Sequence, residues 1–129
     1  MAFVPDHQHL LIKGNILNPP KQEKELNAWL AELVEKVGMV VVAGPTSVYV
    51  DEPGNEGITG TVTLATSHAA IHVWDAKLPS MFQFDIYSCK EFETEVVLDH
   101  IDKFGLENCQ WMKIDRNDSQ MKITSVGAR

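Results

Sequence analysis

Basic stretches are missing from this sequence. Lys and Arg number 11 against 18 Asp and Glu, a formal net charge of -7, and the cations form no cluster. Such a chain lacks the means to neutralise phosphates, so nucleic acid is not expected as a partner. Long-range steering favours a cationic ligand instead. No apolar run approaches about 20 residues, which excludes a membrane-spanning helix. Met1 to His9 has no basic stretch followed by an apolar one, so no secretory signal is read there. The only cysteines are Cys89 and Cys109, with no Cys-x-x-Cys pairing. Neither a disulfide framework nor a zinc site is expected from them, and a reducing, cytoplasmic setting fits. Internal repeats, low-complexity tracts and linkers are absent too, and 129 residues suit a single domain over 1–129.

What is present is the composition of a globular chain, 44% hydrophobic and 22% charged. Residues 9–16 read as a strand ended by Asn18-Pro19-Pro20. Leu26, Trp29, Leu30, Leu33, Val34 and Val37 recur at helical spacing up to Gly38. Residues 39–43 and 47–50 are β-branched segments interrupted by Gly44-Pro45, and 51–57 is a loop by composition. Strands are expected over 58–66, 69–74 and 81–88. Their connections, Ser67-His68 and 75–80, are too short for parallel crossovers, so neighbours should be antiparallel. Phe92, Val97, Ile101 and Phe104 write a second helix closing at Gly105. A last strand covers 109–114, and 115–129 reads as a polar tail with a short extra strand at 121–124. The expected fold is α+β, an antiparallel sheet with two helices on one face in the order β-α-β-β-β-α-β.

Alternation assigns the faces. Ile58, Val62, Leu64, Ile71, Val73, Phe82, Phe84 and Ile86 should meet the helices. The other face should carry Thr59, Thr61, Thr63 and Ser67, then His72 and Trp74, then Gln83, Asp85, Tyr87 and Cys89. A solvated strand face rich in Thr is the plain reading of that set.

The stretch from Gly57-Ile58-Thr59-Gly60 through Thr66-Ser67-His68 to His72-Val73-Trp74 carries a more specific signal. It resembles the self-processing segment of the small bacterial and archaeal S-adenosylmethionine decarboxylases. Those read Gly-Val-Ser/Thr-Gly, a β-run, then Glu-Ser-His-x-x-x-His-Thr-Trp-Pro-Glu. Phe84-Asp85-Ile86-Tyr87-Ser88-Cys89 resembles the same family's Val-Asp-Val/Leu-Phe-Thr-Cys. Element order is similar from about residue 9 to 115. The resemblance implies a proenzyme cleaved between Thr66 and Ser67, with Ser67 converted to a covalent pyruvoyl cofactor.

Decarboxylating an α-amino acid leaves a carbanion, and an electrophilic carbonyl joined to the amine supplies the electron sink that no standard side chain has. A serine at an acute turn can build one when its hydroxyl attacks the preceding carbonyl and β-elimination follows. By resemblance, His72 is the acid/base of that processing, Thr59 polarises the attacked carbonyl, and Cys89 returns a proton to the decarboxylated carbon. Tyr49, Trp74 and Asp75 are the candidate substrate-binding residues. The implied substrate is S-adenosylmethionine, for spermidine and other polyamine synthesis, and the implied assembly is a homodimer with active sites completed across its interface. The sulfonium cation suits an acidic protein with an aromatic-lined site.

Three departures from the family pattern stand out: Thr66 stands where relatives carry Glu, Trp74-Asp75-Ala76 replaces Trp-Pro-Glu, and Lys13-Gly14-Asn15 replaces the Tyr-x-Cys ending of the first strand, with a loop before Gly57 about two residues longer. The alternatives are a pyruvoyl decarboxylase acting on arginine or ornithine, and an unprocessed, non-catalytic binding or regulatory homologue. On its own, Cys89 would read as a small buried hydrophobe, and Asp85 as a strand-end residue without a catalytic role. No metal site is expected. His68 and His72 lie about 13 Å apart along one strand, too far to share an ion, and His7 with His9 on one face makes at most an adventitious pair.

Overall fold

The computed structural model describes residues 6–117 and 119–129; most of the Met1 to His9 segment read for a signal lies outside them. Strand β1 (Gln8–Ile16) is followed by helix α1 (Glu23–Lys36) and strands β2 (Val41–Val50), β3 (Gly57–Leu64), β4 (Ser67–Trp74) and β5 (Ser80–Ser88). Helix α2 (Thr94–Ile101), a short 3-10 turn at Asp102–Phe104, and strands β6 (Leu106–Asp115) and β7 (Lys122–Ala128) complete the order. The seven strands form one sheet, β2-β3-β4-β5-β1-β6-β7, antiparallel throughout. No helix among the described residues is long and apolar enough to cross a membrane.

The α+β class, the antiparallel sheet and the two helices match the expectation, but the strand order needs correction. Four strands, not three, separate the helices, and a further strand follows β6. Gly44 and Pro45 do not divide β2, because they sit where its register against β3 shifts and β2 is an edge strand. An edge or bulge position leaves no ladder bond for proline to break. The tail strand β7 is longer than 121–124 and mostly exposed, so burial wrote little of it into the sequence. It lies on β6 where Gly127 meets the Trp111 indole so closely that a Cβ would collide with it.

Helix α1 buries Leu26, Trp29, Leu30, Leu33 and Val34. It ends in a Schellman-type stop: Gly38 adopts φ 74° and donates to Glu35, and Met39 donates to Val34. Glycine at position 60 of β3 lets this helix approach the sheet, since a Cβ there would stand 2.7 Å from Leu26 and 2.9 Å from Leu30. Both helices pack on one sheet face, with Ile58, Val62, Leu64, Ile71, Val73, Phe82, Phe84 and Ile86 in the core as alternation requires. Among the described residues no helix covers the other face.

A buried histidine joins the helices. His100 of α2 stacks on Trp29 at 4.6 Å, donates from Nε2 to the Trp29 carbonyl (2.8 Å), and accepts at its own carbonyl from the Trp29 indole N–H (3.0 Å). Its Nδ1 is buried without a partner. Burial holds the imidazole below its ordinary 6.5, aided by Lys36 and Lys103 and opposed by the Trp29 carbonyl and Glu32. The unfolded chain therefore takes up this proton first, and the contribution to stability is complete above pH 6.5 and is lost as pH falls below it. Urea-unfolding free energy should drop on this account by up to about 1.4 kcal/mol per pH unit. The uncharged variant His100→Gln should lack that slope; an unchanged slope would show that other groups set it.

Candidate active site

The turn between β3 and β4 determines where the candidate residues go. Leu64 pairs directly with Ser67, leaving Ala65 and Thr66 as a two-residue connection, so the turn lies two residues earlier than Ser67-His68. Directly opposed residues share a face, and Leu64 faces the core, so Ser67 does as well. Ser67 is buried at 7% exposure. Thr59, Ser67, His72 and Cys89 therefore do not share one face. That expectation counted alternation straight through the turn, where the period breaks.

Thr66, the residue before Ser67, has φ 56°, the one positive φ at a non-glycine among the described residues. A β-branched residue in this left-handed region costs about 1–2 kcal/mol, and it stands directly before the bond that the resemblance marks for cleavage. The hydroxyl of Thr66 donates to the Ala65 carbonyl (2.7 Å) and lies 2.9 Å from the Cys89 thiol. The hydroxyl of Ser67 accepts from the Cys89 backbone N–H at 3.0 Å and donates toward Cys89 Sγ at 3.5 Å. Hydrogen bonds from Thr66 and then Ser67 hold the Cys89 thiol below its ordinary value, against the opposing effect of burial. Burial instead pushes Cys109 up, so Cys89 is the more acidic of the two free cysteines. A cavity of about 360 Å³ adjoins this group, lined by Met39, Ala65, Thr66, Ser67, Cys89 and Lys90.

Thr59 and His72 form a second group on the open face. They are register partners on β3 and β4, with Thr59 Oγ1 3.0 Å from His72 Nδ1. Trp74 follows on the same face, its ring 6.2 Å from that of His72, and its indole N–H donates to Asn55 (2.9 Å). These four residues line a cavity of about 130 Å³. The Tyr49 hydroxyl donates to Asp75 at 2.9 Å, and the second Asp75 oxygen is buried without a partner. Neither residue lines the Trp74 cavity, so the tentative substrate trio divides into two places. The hydrogen bond to the Asp75 carboxylate raises the Tyr49 phenol above its ordinary value.

Sequence reasoning missed Asn55 and Lys90. Asn55 lay inside a loop identified only by composition, and it meets Trp74 across the start of β3. Lys90 follows Cys89 directly, and its ammonium donates to the Gly38 carbonyl at 3.0 Å, a contact with no signature in local spacing.

A single antiparallel sheet with two helices on one face, and a buried serine held by a backbone N–H behind a left-handed residue with a thiol alongside, define an α+β chain with a candidate site at the β3–β4 turn. The family model described as S-adenosylmethionine decarboxylase matches residues 9–117, and the chain belongs to that family. No curated protein matches it. The family is pyruvoyl-dependent, and position 67 fits such a group in three respects. The residue is a serine at a sharp turn, its oxygen is already held by the Cys89 N–H, and a cavity opens beside it.

Proposed function

We propose that the chain cleaves itself between Thr66 and Ser67 and, as a pair of copies, decarboxylates S-adenosylmethionine for spermidine synthesis. The observation that carries this reading is the left-handed Thr66 immediately before a serine hydroxyl fixed by Cys89, in a chain of this family. In processing, Ser67 Oγ bonds to the Thr66 carbonyl carbon and the Thr66–Ser67 C–N bond breaks, its nitrogen taking a proton. Loss of the Ser67 α-proton then expels the Thr66 carboxylate, and water replaces the nitrogen as ammonia. The pyruvoyl group so made supplies the electron sink for decarboxylation. Cys89, which lies beside position 67, delivers the proton to the carbon that loses carbon dioxide.

One chain cannot complete this set. Five residues along β4 separate Ser67 from His72 by about 16 Å, on opposite faces of the sheet. We assign the missing acid/base to the Thr59–His72 pair of a second copy. Such a homodimer has to meet the sheet end that carries the 65–66 turn and the cavity beside Ser67, because Ser67 itself lies on the face that the helices cover. Trp74 and the adjoining cavity would then offer the cationic sulfonium an aromatic wall.

A second reading, arginine or ornithine as substrate, is favoured by Ala76 in the family's Glu position and by the Asp75 oxygen already engaged by Tyr49. Denaturing mass spectrometry should find two fragments split before Ser67, the larger with a blocked N-terminus. Carbon dioxide release from labelled S-adenosylmethionine, arginine and ornithine should then be greatest with the first. An intact chain after long incubation would overturn the enzymatic reading and favour a non-catalytic homologue.

A further inference from the structure

One side-chain cluster lies outside all the groups used above. His68 opens β4, Asp85 lies in β5 and His9 in β1, three strands adjacent in the sheet. His9 and His68 both pair with Tyr87, so they flank it, and Asp85 stands two residues along on the same open face. Both imidazoles direct Nε2 at one carboxylate oxygen. His9 Nε2 is 2.9 Å from Asp85 Oδ2, and His68 Nε2 is 3.6 Å from it. One donor atom from each of the three residues lies within 4.8 Å of the others.

A hydrogen bond from His9 to Asp85 accounts for the first distance but not for the second imidazole, which converges on the same oxygen from beyond hydrogen-bond range. We propose that His9, His68 and Asp85 bind a divalent transition-metal ion of the zinc class. Two imidazoles with one carboxylate favour zinc, cobalt or nickel over magnesium or calcium. At metal–ligand bonds of about 2.0–2.2 Å, tetrahedral ligand atoms stand about 3.3 Å apart. The separations of 2.9 and 3.6 Å bracket that value, and His68, half exposed, is free to close the third. The remaining coordination positions open toward water and the adjoining cavity of about 540 Å³, which His9 and Asp85 line.

Ligation through Nε2 puts the ring proton of His9 on Nδ1. Arg116, 3.5 Å from that nitrogen, then gives up the contact while its guanidinium stays over the Tyr87 ring. Along a single strand neither His68 with His72 nor His7 with His9 makes a site. Strand pairing selects one member of each couple and adds an aspartate. The ion would clamp the residue directly after Ser67 to β5 and β1.

The test uses the untagged full chain, stripped with chelator and titrated with Zn²⁺ in a calorimeter. About one ion per chain is expected at low-micromolar affinity or tighter, with the thermal midpoint rising by about 5 °C at saturation. His9→Asn and His68→Asn should each weaken binding at least about tenfold while keeping the metal-free thermal midpoint, and Cys89→Ala should bind as the native chain does. Failure to bind stoichiometrically would overturn the proposal. Binding that survives both histidine variants, or that disappears in Cys89→Ala, would place the ion elsewhere and overturn it equally.

Discussion

Co-expressed Ser67→Ala and His72→Asn chains are expected to yield cleaved protein, although neither variant cleaves when expressed alone. Ser67→Ala removes the attacking hydroxyl outright. His72→Asn keeps the hydroxyl, its Cys89 N–H contact and the strained Thr66 bond, but removes the acid/base, for an expected loss of about 10²-fold or more in processing rate. In a mixed pair, the serine of one chain faces the histidine of the other, so one of the two sites is whole. Random pairing of equal amounts places about half of the His72→Asn chains in such pairs. Mass spectrometry identifies the cleaved chain by its substitution, and every fragment should come from His72→Asn. Were the site built within one chain, co-expression would restore nothing. That result would require the turn at 65–66 to rearrange until Ser67 reached the open face.

The separation of Ser67 from His72 could not be read from spacing alone. Period-two alternation located the core face of β3, β4 and β5 correctly, because Ile58, Ile71, Phe84 and their neighbours are apolar and buried. It failed at Ser67, where a two-residue connection resets the parity and a small polar residue gives no burial signal of its own. Helix α1 was legible from Leu26 to its glycine stop, since both the stripe and the cap are written locally. Strand β7 was not, because an exposed edge strand needs little beyond β-propensity and a glycine that admits Trp111. The candidate residues were picked out by motif, and Thr59 and His72 lie within hydrogen-bond distance on paired strands. Their separation from Ser67 follows from strand register, which the sequence specifies only once the turn is known. The convergence of His9, His68 and Asp85 has the same origin, a relation across three strands that no linear pattern contains.

Thr66 now has a physical account that its departure from the family's Glu did not offer. Its backbone is left-handed directly before Ser67, and its hydroxyl, 2.9 Å from Cys89 Sγ, makes the largest contribution to lowering the thiol's pKa. A short hydroxyl-bearing residue thus lowers the thiol's pKa in the uncleaved chain, whereas an acidic side chain at the same place would raise it by charge repulsion.

The same contacts allow cleavage and turnover to be separated. Cys89→Ala should leave cleavage intact, because the group holding the Ser67 hydroxyl is the backbone N–H of residue 89, which alanine retains, and the strain at Thr66 does not depend on sulfur. Steady-state decarboxylation by the cleaved variant should fall by about 10²–10³-fold, the usual cost of removing a positioned general acid. Cys89→Ser, close in size and a far weaker acid, should process as well and remain nearly as slow, which distinguishes a lost proton donor from a small cavity beside Ser67. Processing is followed by the ratio of fragments to intact chain, and turnover by carbon dioxide release per cleaved chain. Turnover within about twofold of the native enzyme in Cys89→Ala would remove the thiol from the reaction. Its contact with the Thr66 hydroxyl would then be packing at the end of β5 and nothing more.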